Sequence, residues 1–282
     1  MFYRAVLLGA LGGLAVFIAA ILTKAPQTDL DWQPHLSIQP AAQETDGGWQ
    51  VAPVRNWTYT AEGPASTDWE TGAAVSPAEV RRVWLLVEPH PGLAVMAHTL
   101  VLFEFGDGAL IGLTIEARKE IGETFAPVRG ALRRFELIYV WATPRDLITR
   151  RAVFLDRALQ LYPLELTPDQ AQAYLSTMLA RTQALAERPR FYNTLHSNCT
   201  NELAKAAGLG WQPAFVLTGR AARALHKRGL IAGETFDGAR SAGEIGDWAR
   251  ANAGLPEADF NRALLAHLRQ RRNSPIENND LD

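Results

Sequence analysis

The N-terminal segment is the feature that most limits how this chain can be arranged. After Arg4, residues 5–23 contain no charged side chain. As a helix with a rise of ~1.5 Å per residue, this run would measure ~28 Å, about the thickness of a hydrocarbon core. No clean small-residue cleavage site precedes Pro26, so an uncleaved transmembrane anchor over residues 1–24 is favoured over a signal peptide or a buried core helix. Arg4 would stay in the cytoplasm, and the rest of the chain would lie across the membrane.

Composition excludes several classes of protein. Of 282 residues, 48% are hydrophobic and 21% are charged, which is typical of a globular protein and not of a disordered one. The formal net charge of −2 gives no sign of a nucleic-acid-binding surface. The single cysteine, Cys199, excludes an intrachain disulfide and a cysteine-rich zinc site. The histidines show no metal-ligand spacing with carboxylates. We therefore expect no metal, no other cofactor and no nucleic-acid partner.

The remaining chain divides by pattern into a linker, one domain and a tail. Residues 25–50 contain proline and scattered polar residues and predict a linker that lies against the domain. The domain is expected over residues 51–272, with strands in its first half and helices after Tyr162. The helical half is expected to continue as a C-terminal extension, followed by a flexible tail at 273–282. This order predicts an α+β fold, in which helices pack on an antiparallel sheet.

A predicted hairpin brings a histidine and a carboxylate together. If residues 106–108 form a three-residue loop, Phe105 faces Ala109, and His98 lies opposite Glu116 on one face of the sheet. A two-residue loop would place Glu116 on the other face. A carboxylate beside an imidazole can orient it for acid–base work. A surface His–Glu pair without a catalytic role is the alternative.

The cysteine lies at the start of a predicted helix. Ser197 or Asn198 is a suitable N-cap for a short helix that ends at Gly208. Cys199 would then occupy the first turn, where the helix dipole and free backbone N–H groups favour a thiolate and could stabilise an oxyanion. A cysteine that is merely packed in the core is the alternative. His196, three residues before Cys199, is a second possible base but fits a loop histidine better.

An ordered set of segments resembles a known family. The segments are VRN at 54–56, AHTLVLFEF at 97–105, TIEARKEIG at 114–122, FELIY at 135–139, RD at 145–146, LYPL at 161–164 and YNTLHSNCT at 192–200. Together they resemble the N-terminal periplasmic domain of the bacterial lipoprotein N-acyltransferase Lnb family. They are also similar to circularly permuted papain-like enzymes of the NlpC/P60 and lecithin–retinol acyltransferase group, in which the histidine strand precedes the cysteine helix.

The resemblance implies a membrane-anchored, periplasmic cysteine acyltransferase of the inner membrane. Cys199 would be the nucleophile, His98 the base and Glu116 a third member, with Asn198 as an oxyanion donor or support. Tyr192 would contact substrate. Membrane phospholipid would donate the acyl chain through a thioester, and the amino terminus of a lipoprotein would accept it.

Three further expectations concern this reaction. Arg118 shares a predicted strand face with Glu116 and could bind a phosphate head group, or pair with Glu136 or Asp146 instead. Full-length members of the family carry further transmembrane helices after this domain, and no second apolar run of that length follows here. The acceptor could therefore be water, which would make the protein a thioesterase, lipase or peptidase. A non-catalytic envelope binding module is the third possibility.

Overall fold

The computed structural model describes residues 2–273. Its α-helices are α1 Phe2–Leu22, α2 Pro127–Ala131, α3 Pro144–Thr149, α4 Pro168–Glu187, α5 Cys199–Ala206, α6 Ala221–His226, α7 Phe236–Gly243, α8 Gly246–Asn252 and α9 Glu257–Asn273. Its strands are β1 Ala41–Thr45, β2 Gly48–Ala52, β3 Val54–Tyr59, β4 Pro64–Glu70, β5 Ala73–Val75, β6 Val80–Pro89, β7 Ala97–Phe105, β8 Leu110–Arg118, β9 Glu136–Ala142 and β10 Gln160–Pro163. A π-helical segment, Arg150–Phe154, continues directly from α3. These elements confirm the predicted α+β class.

The N-terminal apolar run forms α1, as a helix was expected there. Within the part of the chain that the structure describes, no helix is long and apolar enough to cross a bilayer. The predicted transmembrane anchor over residues 1–24 is therefore not supported.

A seven-stranded sheet forms the centre of the domain. Its strand order is β10-β6-β7-β8-β9-β3-β4, and neighbouring strands are antiparallel except β3 and β9, which run parallel. Strands β6 to β9 contribute buried, mostly apolar side chains to both faces, which is why they read as nearly continuous apolar runs. A smaller sheet, β1-β2-β5, lies beside it.

Helices cover both faces of the large sheet. On one face, α4 and α5 pack over a core that includes Phe103, Tyr139 and Trp141. Helix α4 begins with a capping box: Thr167 Oγ1 accepts from Gln170 N, and the Gln170 side chain accepts from Thr167 N. On the other face, α3, α8 and α9 enclose a second apolar cluster. The predicted helical half therefore supplies helices to both layers.

The predicted hairpin register is confirmed. Phe105 N donates to Ala109 O across the loop at 2.9 Å. Further along the ladder Leu100 pairs with Thr114, as a three-residue loop requires. The same register brings His98 and Glu116 into contact.

The predicted linker is wrong over its second half. Residues 41–52 form the hairpin of β1 and β2, so the predicted boundary between residues 50 and 51 falls inside β2. An Asp46-Gly47 turn, a strong signal for a two-residue hairpin loop, joins the strands. Burial of Ala42 and Val51 against the main core stabilises the hairpin.

Two features describe the C-terminal part of the chain. The N-cap of α7 is Thr235, whose hydroxyl accepts from Gly238 N at the start of the helix. The predicted tail, 273–282, lies outside the described residues except for Asn273, the last residue of α9.

Candidate functional site

His98 lies on β7 between carboxylates from both neighbouring strands. Glu88 on β6 is its direct cross-strand partner, and Glu116 on β8 approaches with Oε1 3.2 Å from His98 Nε2. His98 Nε2 also lies 2.8 Å from Thr114 Oγ1, whose hydroxyl donates to Glu116 Oε1 at 2.9 Å. Because that hydroxyl proton is already used, the hydroxyl oxygen accepts from Nε2–H. This leaves Nδ1 as the ring nitrogen that can exchange a proton with the thiol.

A buried arginine holds the two carboxylates in place. Arg151 Nη2 lies 3.2 Å from Glu116 Oε1, and Arg151 Nε lies 3.0 Å from Glu88 Oε2. Arg151 Nη1 also donates to Leu147 O at 2.9 Å, which ties the guanidinium to α3. The side chain is almost fully buried, so its charge acts in a medium of low dielectric. Sequence reasoning missed both Arg151 and Glu88.

Cys199 lies in the first turn of α5, as predicted, and is its first residue; of the two predicted N-cap candidates, Asn198 caps the helix. Asn198 Oδ1 accepts from Asn201 N at 2.8 Å, while Asn198 Nδ2 donates to Thr194 O and Phe215 O, each at 2.8 Å. Both amide protons are therefore used within the fold. Asn198 acts as a support for the helix start, and its side chain has no proton left for an oxyanion.

The ionisable groups of the site stabilise each other's charged forms. Burial raises the pKa of the Cys199 thiol, but the charge and hydrogen bond of His98 and hydrogen bonds from Thr99 outweigh burial and lower it below its usual value. Burial lowers the pKa of His98, yet Glu116 and Cys199 outweigh that effect and raise it to about 10. Burial raises the pKa of Glu116, whereas His98 and then Arg151 hold it well below its usual range. These interactions therefore stabilise a thiolate beside an imidazolium.

A buried glutamate fixes the cysteine helix to the sheet. Glu202, in the first turn of α5, accepts from Tyr139 Oη of β9 and from Ser197 Oγ, each at 2.6 Å. Arg190 Nη2 and Arg181 Nη1 lie 2.7 and 3.2 Å from its Oε2. Burial raises the pKa of Glu202, but these partners, first among them Arg190, lower it to about 2. Nothing in the local sequence pattern marks Glu202 as this anchor.

The side chains of Cys199, His98 and Glu116 line one cavity of about 370 Å³. Tyr192 also lines this cavity, where it could contact a bound substrate. The contact itself stays a prediction. Four basic residues and two acidic ones contribute to the wall: Lys119, Arg150, Arg151, Arg157, Glu88 and Glu116. Such a concave, charged cavity around a reactive thiol is a suitable place for a substrate to bind.

Arg118 does not line this cavity. Its Nε donates to Leu36 O at 2.9 Å, and its Cζ lies 4.4 Å from the centre of the Trp32 ring. Of its two predicted ion-pair partners, Glu136 is its cross-strand neighbour and interacts with its charge. The predicted head-group contact of Arg118 is not supported, because the segment around Leu36 covers its guanidinium.

The remaining candidates are outside the site. His196 is exposed on the loop before α5, as a loop histidine would be. Among residues 2–273, no group of three or more His, Cys, Asp or Glu side chains is placed to hold a metal ion.

Comparison with known proteins identifies one family. The family model of the Lnb N-terminal periplasmic domain matches residues 65–222, which is more than half of the chain. No curated protein matches, and no solved structure matches. The matched range contains His98, Glu116 and Cys199. The chain therefore belongs to the family defined by the Lnb N-terminal periplasmic domain.

Proposed function

We propose that this protein is a cysteine acyltransferase that takes an acyl chain from a lipid ester. The observation that carries the proposal is the cavity in which Cys199, His98 and Glu116 meet. The thiol has a lowered pKa, the imidazole has a raised one, and a carboxylate held by Arg151 orients the imidazole. A nucleophile, a base and an orienting acid in this order are the requirements of acyl transfer through a covalent intermediate.

The first step forms a thioester. The Cys199 thiolate attacks the carbonyl carbon of a lipid ester, and a tetrahedral oxyanion forms. When the oxyanion collapses, the bond between the carbonyl carbon and the glycerol oxygen breaks. The imidazolium of His98 gives its proton to that oxygen, and the lysolipid leaves as an alcohol. The acyl chain stays on sulfur, and His98 is left neutral.

Backbone donors at the start of α5 suit the oxyanion. The first N–H groups of any helix lack partners within the helix, and the Asn198 cap takes only that of Asn201. The N–H groups of Cys199 and Thr200 are therefore the natural donors to an oxygen that develops next to the sulfur.

The second step returns the enzyme to its starting state. An amine attacks the thioester carbon, and neutral His98 takes the proton from the amine nitrogen as the new C–N bond forms. The C–S bond breaks, and the leaving thiolate is stabilised by the imidazolium. The products are an amide and the original ion pair. A lipoprotein amino terminus is the acceptor that we propose, since it presents such an amine.

A second cavity favours an acyl substrate over a peptide. It measures about 130 Å³ and has a mainly apolar lining from β6, α4, α5 and α6. Its polar corner is Thr99 and Thr200, whose hydroxyls lie 2.9 Å apart. Thr200 Oγ1 also lies within hydrogen-bond distance of the Cys199 sulfur, at 3.8 Å. A dry cavity of about 150 Å³ can hold a benzene-sized group, so this volume suits a segment of a hydrocarbon chain.

Membrane attachment and the permuted papain-like fold belong to the same proposal. A single-pass anchor at residues 1–24 in the inner membrane would hold the periplasmic domain beside both lipid substrates. Carbonate extraction of membranes, with protease access from the periplasmic side, tests that arrangement. The order of a histidine strand before a cysteine helix supports the likeness to NlpC/P60-like enzymes.

Product analysis tests the proposed reaction. Full-length protein in detergent is incubated with phosphatidylglycerol and a diacylglyceryl-cysteine peptide that has a free amino terminus. We expect N-acyl peptide and lysolipid in equal amounts, neither of them with Cys199→Ala, and an unchanged rate with His196→Asn as the matched control. Free fatty acid in place of N-acyl peptide would assign a hydrolase. Lysolipid release by Cys199→Ala at the wild-type rate would exclude the thiol mechanism.

A further inference from the structure

Arg150 is a half-buried cation on the wall of the cysteine cavity, and no carboxylate among residues 2–273 is shown in an ion pair with it. It begins the π-helical segment next to Arg151. Its Nη2 lies 3.0 Å from His35 Nε2, and among the described residues no acidic side chain lies within ion-pair distance of it. An arginine that is partly withdrawn from water normally gains an acidic partner, because removing an unpaired charge from water is costly. Short π-helical segments also occur often at functional sites.

The histidine beside Arg150 does not cancel the charge. Burial first, and then the charges of Arg150 and Arg55, lower the pKa of His35 to about 2. His35 is therefore neutral, and because a guanidinium only donates, His35 Nε2 accepts the hydrogen bond. This contact orients the guanidinium and leaves its positive charge intact.

The acidic groups of the cavity are already engaged. Glu88 pairs with Arg151 at 3.0 Å and more loosely with Arg157 at 3.7 Å. Glu116 pairs with Arg151 and with His98. Arg150 and Lys119 therefore leave the cavity wall with a surplus of positive charge. Burial first, and then the charges of Arg151 and Arg55, lower the pKa of Arg150 and outweigh the smaller opposite effect of Glu116.

We propose that Arg150, with Lys119, forms a subsite that binds the negatively charged phosphodiester of the lipid donor. This inference rests on the proposed function, since it places the donor's head group in the same cavity as the thiol. A guanidinium suits phosphate because it presents several N–H donors in one plane. Binding the phosphodiester at Arg150 would position the neighbouring glycerol ester for attack by Cys199. Arg150 would thus bind the phosphate head group that the sequence pattern predicts for Arg118.

The first test measures the subsite without requiring acyl transfer. The full-length chain is alkylated at its one cysteine with iodoacetate, an anion, and in parallel with neutral iodoacetamide. A positive subsite raises the local concentration of the anion by about tenfold or more. We expect the ratio of the two rates to fall by about tenfold in Arg150→Gln and to persist in Arg150→Lys. It should not change in Arg262→Gln, a control at an exposed residue of α9.

An unchanged ratio in a folded Arg150→Gln protein would overturn the subsite. If that variant does not fold, competition in the wild type decides. Inorganic phosphate should slow iodoacetate more than iodoacetamide, and equal slowing of both reagents would again overturn the subsite.

The second test identifies the source of the oxyanion. Acyl-adduct formation is compared for phosphatidylglycerol and for diacylglycerol with the same chains in the same micelles. We expect the wild type to prefer phosphatidylglycerol, and Arg150→Gln to lose about tenfold of that preference. If inorganic phosphate slows iodoacetate selectively but the two lipids react at equal rates, the subsite binds free phosphate. That result would overturn the proposal that it binds the lipid phosphodiester. If neither lipid modifies the wild type, the proposed function fails, while the alkylation ratio still decides the subsite.

Discussion

At the scale of single residues, the charge of the His98 imidazole depends on the side chains around it. An isolated buried imidazole would be neutral, because burial disfavours its charged form. Here the Glu116 carboxylate, fixed by Arg151, reverses that preference. The imidazolium in turn stabilises the Cys199 thiolate. Each group thus depends on the next one for its charge.

The first prediction concerns the pH dependence of thiol reactivity. Only the thiolate is alkylated, so the rate with iodoacetamide rises with pH until the thiol is fully ionised. We expect the wild-type midpoint below the ordinary thiol pKa of about 8.5. In His98→Asn the midpoint should move to higher pH, because burial raises the pKa of Cys199 and the charge of His98 no longer lowers it. His196→Asn should keep the wild-type profile, and a profile shared by all three proteins would contradict the ion pair.

The second prediction concerns the carboxylate. Glu116→Gln keeps the shape of the side chain and removes the charge, so the pKa of His98 should fall and its role as an acid should weaken. We expect acyl transfer to decrease by about 10²-fold, with a thiol midpoint shifted to higher pH. Glu187→Gln, at the exposed end of α4, is the matched control. Normal turnover in Glu116→Gln would reduce Glu116 to a structural partner.

Of the two carboxylates beside His98, the sequence predicts Glu116 but not Glu88. The three-residue loop between β7 and β8 fixes their register, and so Glu116 could be placed opposite His98. The connection from β6 to β7 is longer, and loop length then does not determine which residue faces His98. Glu88 was therefore not identified. Arg151 was missed because its ion pairs join residues far apart in sequence.

At the scale of elements, α5 places the thiol and Glu202 places α5. Glu202 binds Tyr139 of β9, Arg181 of α4 and Arg190 at once. The N-cap Asn198 could be predicted from local pattern, since caps depend on neighbouring residues. The Glu202 contacts could not, because they join distant parts of the chain.

The third prediction follows from this anchor. Glu202→Gln should lower the free energy of unfolding at neutral pH by about 3 kcal/mol, the low end for breaking a buried pair, since both arginines are partly in water. The depressed pKa of Glu202 means that its stabilisation is present above the unfolded pKa of about 4.3. It is lost as pH falls through about 2.

Urea unfolding at a series of acidic pH values checks this prediction. Wild type should lose stability over that window relative to Glu202→Gln, so that the difference between them shrinks. Glu187→Gln should behave like wild type. A constant difference between wild type and Glu202→Gln across the window would contradict the assigned role.

At the scale of the whole molecule, the segment before β1 is part of the domain. Leu36 is fully buried against Ile138 and Val140. His35 O accepts from Arg55 Nη1 at 2.8 Å, and His35 Nε2 contacts Arg150. No periodic pattern marks this segment, because these contacts come from single residues and not from a helix or strand face. Its polar, proline-containing composition therefore predicts a linker.

The fourth prediction tests that segment by truncation. A chain that begins at residue 25 should fold and keep the thiol reactivity of the full-length protein. A chain that begins at residue 53 loses buried Leu36, the cover over Arg118 and the β1–β2 hairpin. We expect it to be less stable by about 3 kcal/mol or more, with Tm lower by about 10 °C. Calorimetry of both chains decides, and equal Tm values would show that the segment is only a linker.

The central claim is that Cys199 carries the acyl chain, and intact mass measurement tests it most directly. Full-length protein is incubated with phosphatidylglycerol of one defined chain, without an amine acceptor, and weighed before and after hydroxylamine. The account predicts an increase equal to one acyl group, which hydroxylamine removes and which is absent from Cys199→Ala. An unmodified wild-type protein that still releases lysolipid, or an adduct on another residue, would contradict it.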